Sequence, residues 1–259
     1  MSEPRRIVLM KEVPDIDLVT ISDEGRLERE NVPSVADPFC MMALGHAIRM
    51  KKDMGAHVTA VTMGPPHAEG MMRRCLEYGT DEAILLTDRA FAGADTLATA
   101  RALGCFLKGQ NYDYVFCGVQ ATDGDTGQVP PELSSILGIP IYSYVSDIDL
   151  TDGVRMTQMY EDECLVIDAP PKAVVSFIRY PETNIPLPSM TDFIDARKKD
   201  VTVMNAWMLG MPLNMIGSKG SRTRVTGIAT VLKRKKEPVF IEGNDVNLAA
   251  KEILKEVGI

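Results

Sequence analysis

The chain has 259 residues, 45% of them apolar, which is enough for one large α/β core with an appendage or for two small domains. No window approaches the ~18 apolar residues of a membrane span, and the short apolar run after Met1–Arg6 is too brief for a secretory signal, so a cytoplasmic location is expected. Residues 1–196 carry 16 Lys+Arg against 30 Asp+Glu, a net of −14, which argues against nucleic acid as a partner, while residues 197–259 carry 12 against 6, a net of +6.

In chain order, Ile7–Met10 reads as a short strand ending at Lys11. Asp37-Pro38-Phe39-Cys40 reads as a helix start, with Asp37 as N-cap and Pro38 at the first helical position; Gly55 stops that helix. Val58–Met63 is a second strand, broken by Gly64-Pro65-Pro66. A helix over 68–78 and a strand over 82–86 follow. Asp95 then caps a helix that opens with Thr96 and Thr99 and leads to the strand at Tyr114. Strands alternating with helices of this length imply a parallel sheet. After Pro140 the pattern changes: Asp152-Gly153 sits between two extended runs and predicts a hairpin, and strands are expected at 165–167 and 173–177. Pro181, Pro186 and Pro188 mark an irregular loop. Beyond about Ala196 no two-layer pattern is visible until a terminal helix at 247–257, which divides the chain into an α/β domain at 1–196 and a C-terminal arm at 197–259 that packs on something else.

The most informative stretch is Cys117–Val129, in which Gly118, Gly124 and Gly127 join a buried strand to a helix starting near Pro130-Pro131. Such a connection aims main-chain N–H groups at an anion, so a phosphate or diphosphate is the expected ligand. Ligands of parallel sheets lie outside the carboxyl ends of the strands. Four segments are expected to converge there: Leu9-Met10-Lys11, Met63-Gly64-Pro65, Asp95-Thr96 and the 118–129 loop with Gln120, Ala121, Thr122, Asp123, Gly124, Asp125, Thr126, Gly127, Gln128 and Val129. The Asp37-Pro38 helix start is expected close by, and Phe39, Cys40 and Thr99 complete the expected cofactor-binding residues. Asp123 and Asp125 would repel a phosphate if pointed at it, so they are expected to bond loop N–H groups or ribose hydroxyls. Neither G-x-G-x-x-G nor G-x-x-x-x-G-K-[ST] follows the first strand. Five cysteines without a C-x-x-C pair and three histidines without ligand spacing give no metal site, and no nucleophile–base set suggests catalysis by this chain alone.

Taken together, Lys11–Asp15, Asp37–Phe39, Val61–Ala68, Gly93–Thr99, Cys117–Val129 and Ala196–Lys199 resemble the beta subunit of electron-transfer flavoproteins over nearly the whole chain. The resemblance implies an α/β, parallel-sheet, Rossmann-like domain of the adenine nucleotide alpha-hydrolase type, with a hairpin extension and a C-terminal arm. It implies pairing with an alpha subunit that carries FAD, and a beta-subunit pocket that holds either AMP as a structural ligand or a second FAD. The Lys11–Asp15 and Thr122–Val129 segments look like the FAD-holding, electron-bifurcating type, in which NADH delivers electrons that divide between ferredoxin or flavodoxin and a dehydrogenase. Pro186, Leu187, Pro188, Ser189 and Met190 resemble the family's loop for docking acyl-CoA dehydrogenases, without its usual Arg. Pro130 stands where the family usually has Gly and removes one N–H from the phosphate side. Two other readings are a universal-stress-type nucleotide-binding regulatory module, which needs no partner, and an ATP-pyrophosphatase-like enzyme, which needs a Ser-Gly-Gly loop where Lys11-Glu12-Val13 stands.

Overall fold

The computed structural model describes residues 3–15, 20–21, 27–28, 32–151, 153–179, 186–224, 226, 249–251 and 253–254. Its centre is a nine-stranded sheet. Seven strands run parallel in the spatial order β9 (Ile141–Asp149), β12 (Ala173–Phe177), β8 (Tyr114–Gly118), β1 (Arg5–Leu9), β6 (His57–Met63), β7 (Glu82–Leu86) and β13 (Val201–Met204). Antiparallel β10 (Arg155–Met159) and β11 (Cys164–Asp168) extend the β9 edge, which is the hairpin expected at Gly153.

Alternate residues of β1 feed opposite faces, as the period of two in a strand requires. Val8 and Met10 pack with α1 (Pro38–Met54) and α2 (Glu69–Glu77), whereas Ile7 and Leu9 pack on the side of α3 (Thr96–Lys108). Leu133, from α4 (Val129–Leu137), joins that second core. The result is a doubly wound, Rossmann-like α/β sheet, as the alternation of elements implies. The cap expectations hold. Asp37 caps α1, Gly55 closes it in the left-handed conformation at φ 69°, and Asp95 caps α3.

Four features lie outside the sequence reading. Residues 201–204, assigned there to a patternless arm, form β13, an edge strand paired with β7. A short helix, α5 (Met190–Ala196), starts at Ser189 through a capping box with Asp192. A small ribbon pairs β2 (Glu12–Pro14) with β5 (Ser34–Ala36), which brings Lys11 beside Asp37. Two-residue strands β3 (Thr20–Ile21) and β4 (Leu27–Glu28) also pair. Of the terminal helix expected at 247–257, residues 249–251, 253 and 254 are helical and the rest fall outside the described residues, as does Pro181. No helix among the described residues is long and apolar enough to cross a membrane.

Candidate nucleotide site

The chain order β1, β6, β7 moves to one side of β1, and the next strand of the sheet, β8, returns to its other side. That reversal opens a crevice beyond the carboxyl ends of β1 and β8, the position where doubly wound sheets bind their ligands. Lys11 enters it from β1 and the 119–128 loop enters it from β8. The Lys11 ammonium spans the gap to Asp123 Oδ1 at 2.5 Å, with both side chains partly exposed.

Asp37 joins the two walls from beneath. Its Oδ1 accepts from the N–H groups of Phe39 (2.9 Å) and Cys40 (3.3 Å), which caps α1. Its Oδ2 accepts from the N–H (2.8 Å) and the hydroxyl (3.1 Å) of Thr122 in the loop. Close approach of α1 to β8 makes this possible. A Cβ on Gly118 would meet Phe39 Cβ at 2.7 Å and Cys40 N at 3.0 Å, so only glycine fits there.

The loop is shaped by two residues in the left-handed region, Asp125 (φ 51°) and Gly127 (φ 60°), and by the Asp125 N–H bonded to Ala121 O at 2.8 Å. Asp125 also accepts from the Gln120 side-chain amide, a partner within the loop other than the main-chain N–H groups expected, while Asp123 meets Lys11. The N–H groups of Gly124, Thr126, Gly127 and Gln128 have no hydrogen-bond partner among the described residues. Successive free N–H groups around a left-handed residue form a concavity that suits an anion. Gly124 is not in the left-handed region, and a Cβ added to it would meet nothing within 4 Å.

The helix after the loop contributes less than its position suggests. α4 begins at Val129, so Pro130 and Pro131 both occupy its first turn and two of its donors are missing, not one. Glu132 adds an acid there. Burial pushes its carboxyl up, against the hydrogen bond from Thr96, and the charge of Asp95 adds to the push; its Oε2 is buried with no partner among the described residues. The Thr96 hydroxyl lies 3.2 Å from Glu132 Oε1 and 3.0 Å from Gln128 Oε1, tying α3 to the loop. At the start of α3, the N–H groups of Ala98 and Thr99 are taken by Asp95, which leaves those of Thr96 and Leu97 without a helical acceptor.

The expected lining residues therefore separate into two sets. Lys11, Asp123, Gly124, Asp125, Thr126 and Gln128 are exposed, Thr96 and Gly127 are half-buried, and Met63 and Gly64 are half-buried at the adjoining strand end. Leu9, Met10 and Cys40 are buried beneath the crevice, and the Phe39 and Cys40 N–H groups are occupied by Asp37. Burial pushes the Cys40 thiol up to about 12, so it stays protonated. Ala121, Thr122 and Val129 hold the loop, Pro38 opens α1, and Thr99 lies half-buried on α3. Sequence reasoning missed the bridging oxygen of Asp37 and the contact of Glu132 with Thr96.

Away from the crevice, Leu187 is 81% exposed and Met190 76% exposed at the start of α5, with Phe193 and Ile194 also exposed. Pro186 and Pro188 are half-buried beside them, and Ser189 is exposed with its hydroxyl in the capping box of α5.

A family model described as the electron transfer flavoprotein domain matches residues 25–208, well over half of the chain. The chain belongs to the electron transfer flavoprotein family, among its beta subunits. It is 42% identical over 228 residues to the electron transfer flavoprotein subunit beta of Thermoanaerobacterium thermosaccharolyticum, covering 86% of this chain and 87% of the relative. Identity to the subunit beta of Clostridium acetobutylicum is 40% over 227 residues, covering 86% and 87%. The caffeyl-CoA reductase-Etf complex subunit CarD of Acetobacterium woodii is 37% identical over 226 residues, covering 85% and 86%. Family membership sets aside the universal-stress and ATP-pyrophosphatase readings. It also makes this a chain whose relatives work as subunits of electron-transfer complexes.

Proposed function

We propose that the crevice between β1 and β8 binds FAD, and that the chain serves as the flavin-bearing beta subunit of a heterodimer whose alpha subunit holds a second FAD. The observation that carries this reading is the run of free main-chain N–H groups at 124–128, set at the switch point of the sheet and faced by Lys11. The residues present suit a diphosphate. Lys11 supplies a cation, the loop and the start of α3 supply unpaired N–H donors, and Thr96, Thr126 and Gln128 supply side-chain polar groups. The small side chains at Gly124 and Thr126 favour room for a dinucleotide over AMP.

When bound, the flavin supplies one- and two-electron redox chemistry; the chain's own residues bind and orient it. Asp37 keeps Thr122 and the loop fixed against α1, so the N–H groups are arranged before the ligand arrives. In the bifurcating form of this reading, electrons from NADH divide between ferredoxin or flavodoxin and a flavin-dependent dehydrogenase such as an acyl-CoA dehydrogenase. The exposed Leu187–Ile194 surface docks that dehydrogenase. The basic arm at 197–259 engages the alpha subunit, and the CarD relative, named for a caffeyl-CoA reductase complex, is consistent with work in such an assembly.

Acid extraction of the purified heterodimer, followed by chromatography, tests the proposal. Two FAD per heterodimer and bleaching by NADH are expected. One FAD with one AMP would overturn the flavin assignment and leave a structural, docking subunit. A complex holding no nucleotide beyond the alpha subunit's FAD would refute the crevice itself.

A further inference from the structure

A segment within the C-terminal arm, residues 217–223, is seated on the N-terminus of α3, beside the crevice. At its start, Gly217 adopts φ 52°, and a Cβ there would lie 2.0 Å from Ala90 O and 2.9 Å from Ala92 O. A Cβ on Gly220 would lie 2.2 Å from the Met215 carbonyl carbon. Both positions admit only glycine: Gly217 because the segment lies flush on the 90–92 backbone, and Gly220 because it packs against the segment's own preceding turn. The Ser218 N–H donates to Ala92 O at 2.9 Å, and Arg101 donates to Gly220 O at 3.3 Å.

The seating converges on one carboxylate. Asp95 Oδ1 caps α3 through the Ala98 N–H at 2.9 Å. Its Oδ2 accepts from the N–H groups of Arg222 (2.6 Å) and Thr223 (2.8 Å) and from the Thr223 hydroxyl (3.1 Å). The Asp95 N–H in turn donates to Ser221 Oγ at 2.8 Å. Burial opposes ionisation here, but the hydrogen bonds from Ala98, Thr223 and Arg222 hold the carboxyl below its usual range. The residue after Asp95 is Thr96, whose hydroxyl meets Gln128 of the loop.

We propose that Asp95 is a positioning residue for the nucleotide crevice, through which seating of the 217–223 segment and binding of a phosphate at α3 strengthen each other. The inference rests on the nucleotide reading above. Its physical basis is charge. An anionic side chain next to Thr96 would repel an incoming phosphate. With the segment seated, that charge is shared among three donors from the segment and the Ala98 N–H of the cap. With the segment lifted, Oδ2 loses those three partners and its charge faces the crevice. Occupancy of the crevice is therefore linked to the position of this part of the basic arm. Linkage of this kind is reciprocal, so the ligand must hold the segment down as firmly as the segment favours the ligand.

The test uses the full chain in its heterodimer, stripped of nucleotide, with FAD and AMP as probes in equilibrium dialysis. Gly217→Ala unseats the segment from the side remote from α3. Asp95→Asn keeps the cap, because Asn caps helices as well as Asp does, but its amide nitrogen cannot accept from Arg222 and Thr223. Gly217→Ala keeps the charge but unseats the segment, and is expected to weaken binding of whichever probe the wild type takes by roughly 5- to 50-fold. Asp95→Asn removes the charge itself, so it should bind no more weakly than the wild type, and the double variant should recover the affinity that Gly217→Ala loses. In the wild type, saturating probe should raise hydrogen-exchange protection of the Arg222 and Thr223 amides by a similar factor. If Gly217→Ala does not fold, Thr223→Val removes only the hydroxyl bond and should give a smaller loss of roughly 2- to 10-fold. Unchanged affinity in a folded Gly217→Ala variant whose 222–223 amides exchange freely, or an equal loss of affinity in Asp95→Asn, overturns the inference alone. A wild-type heterodimer that takes neither probe removes the nucleotide reading and this inference with it.

Discussion

Asp37 fastens the two walls of the crevice, and two substitutions at this position separate its roles. One oxygen caps α1 through Phe39 and Cys40, the other holds Thr122 through two hydrogen bonds, and the residue is fully buried. Asp37→Ala deletes all four contacts. Loss of the cap costs about 1 kcal/mol, and each lost hydrogen bond to a charged group costs about 1.5–3 kcal/mol. These losses overlap, because the cap is itself two of the bonds, so the total should fall near ~3–5 kcal/mol, the upper range for single substitutions. Asp37→Asn retains an oxygen for the cap but presents an amide nitrogen to Thr122, so the expected loss is about 1–3 kcal/mol. The assay is the guanidinium midpoint of the nucleotide-free heterodimer, paired with nucleotide affinity. Stability should separate the two variants, while affinity should fall similarly in both, since the loop is released in both. An Asn variant as unstable as the Ala variant, or one that binds nucleotide like the wild type, would refute the assignment of Oδ2 to the loop.

Two further outcomes follow from single positions. Gly124→Val projects its side chain into open space from a backbone outside the left-handed region, so stability should change by no more than about 0.5 kcal/mol while bound nucleotide falls sharply; full nucleotide content in that variant would remove Gly124 from the site. His46 is buried, stacked on Phe177 at 4.7 Å, and burial lowers its pKa to about 4 from an ordinary 6.5. The unfolded chain therefore binds a proton more readily than the folded one. His46 accordingly contributes stability that is complete above pH ~6.5 and is lost as pH falls toward 4, by about 3 kcal/mol in all. His46→Phe should flatten the stability profile across that window, and an unaltered acid slope would show that His46 is not its source.

How much of this was legible in the sequence depended on the range of the interaction concerned. Signals that act within one turn of chain were readable: Asp37-Pro38 and Asp95 named their caps, Gly55 named a helix end, and Asp152-Gly153 named the hairpin between β9 and β10. The edge strand β13 was not readable, because Val201–Met204 is four residues long, only partly buried, and follows Lys198-Lys199-Asp200. Its partner β7 lies more than a hundred residues away, and local pattern carries no record of it. The same limit hid the working parts of the site. The sequence showed that Asp37 would use one oxygen on α1, but the other oxygen reaches across 85 positions to Thr122. It showed glycines in the 118–127 loop but not which of them the backbone requires; Gly118 is demanded by the approach of α1 and Gly127 by its angle, whereas neither contact nor angle demands glycine at 124. Pro130-Pro131 made the N-terminus of α4 a poor donor, and the structure moves the emphasis to the loop and to α3. Because α3 is also where residues 217–223 are seated, its start joins the ligand crevice to the arm. A carboxylate 127 positions from Arg222 is the contact on which that connection turns.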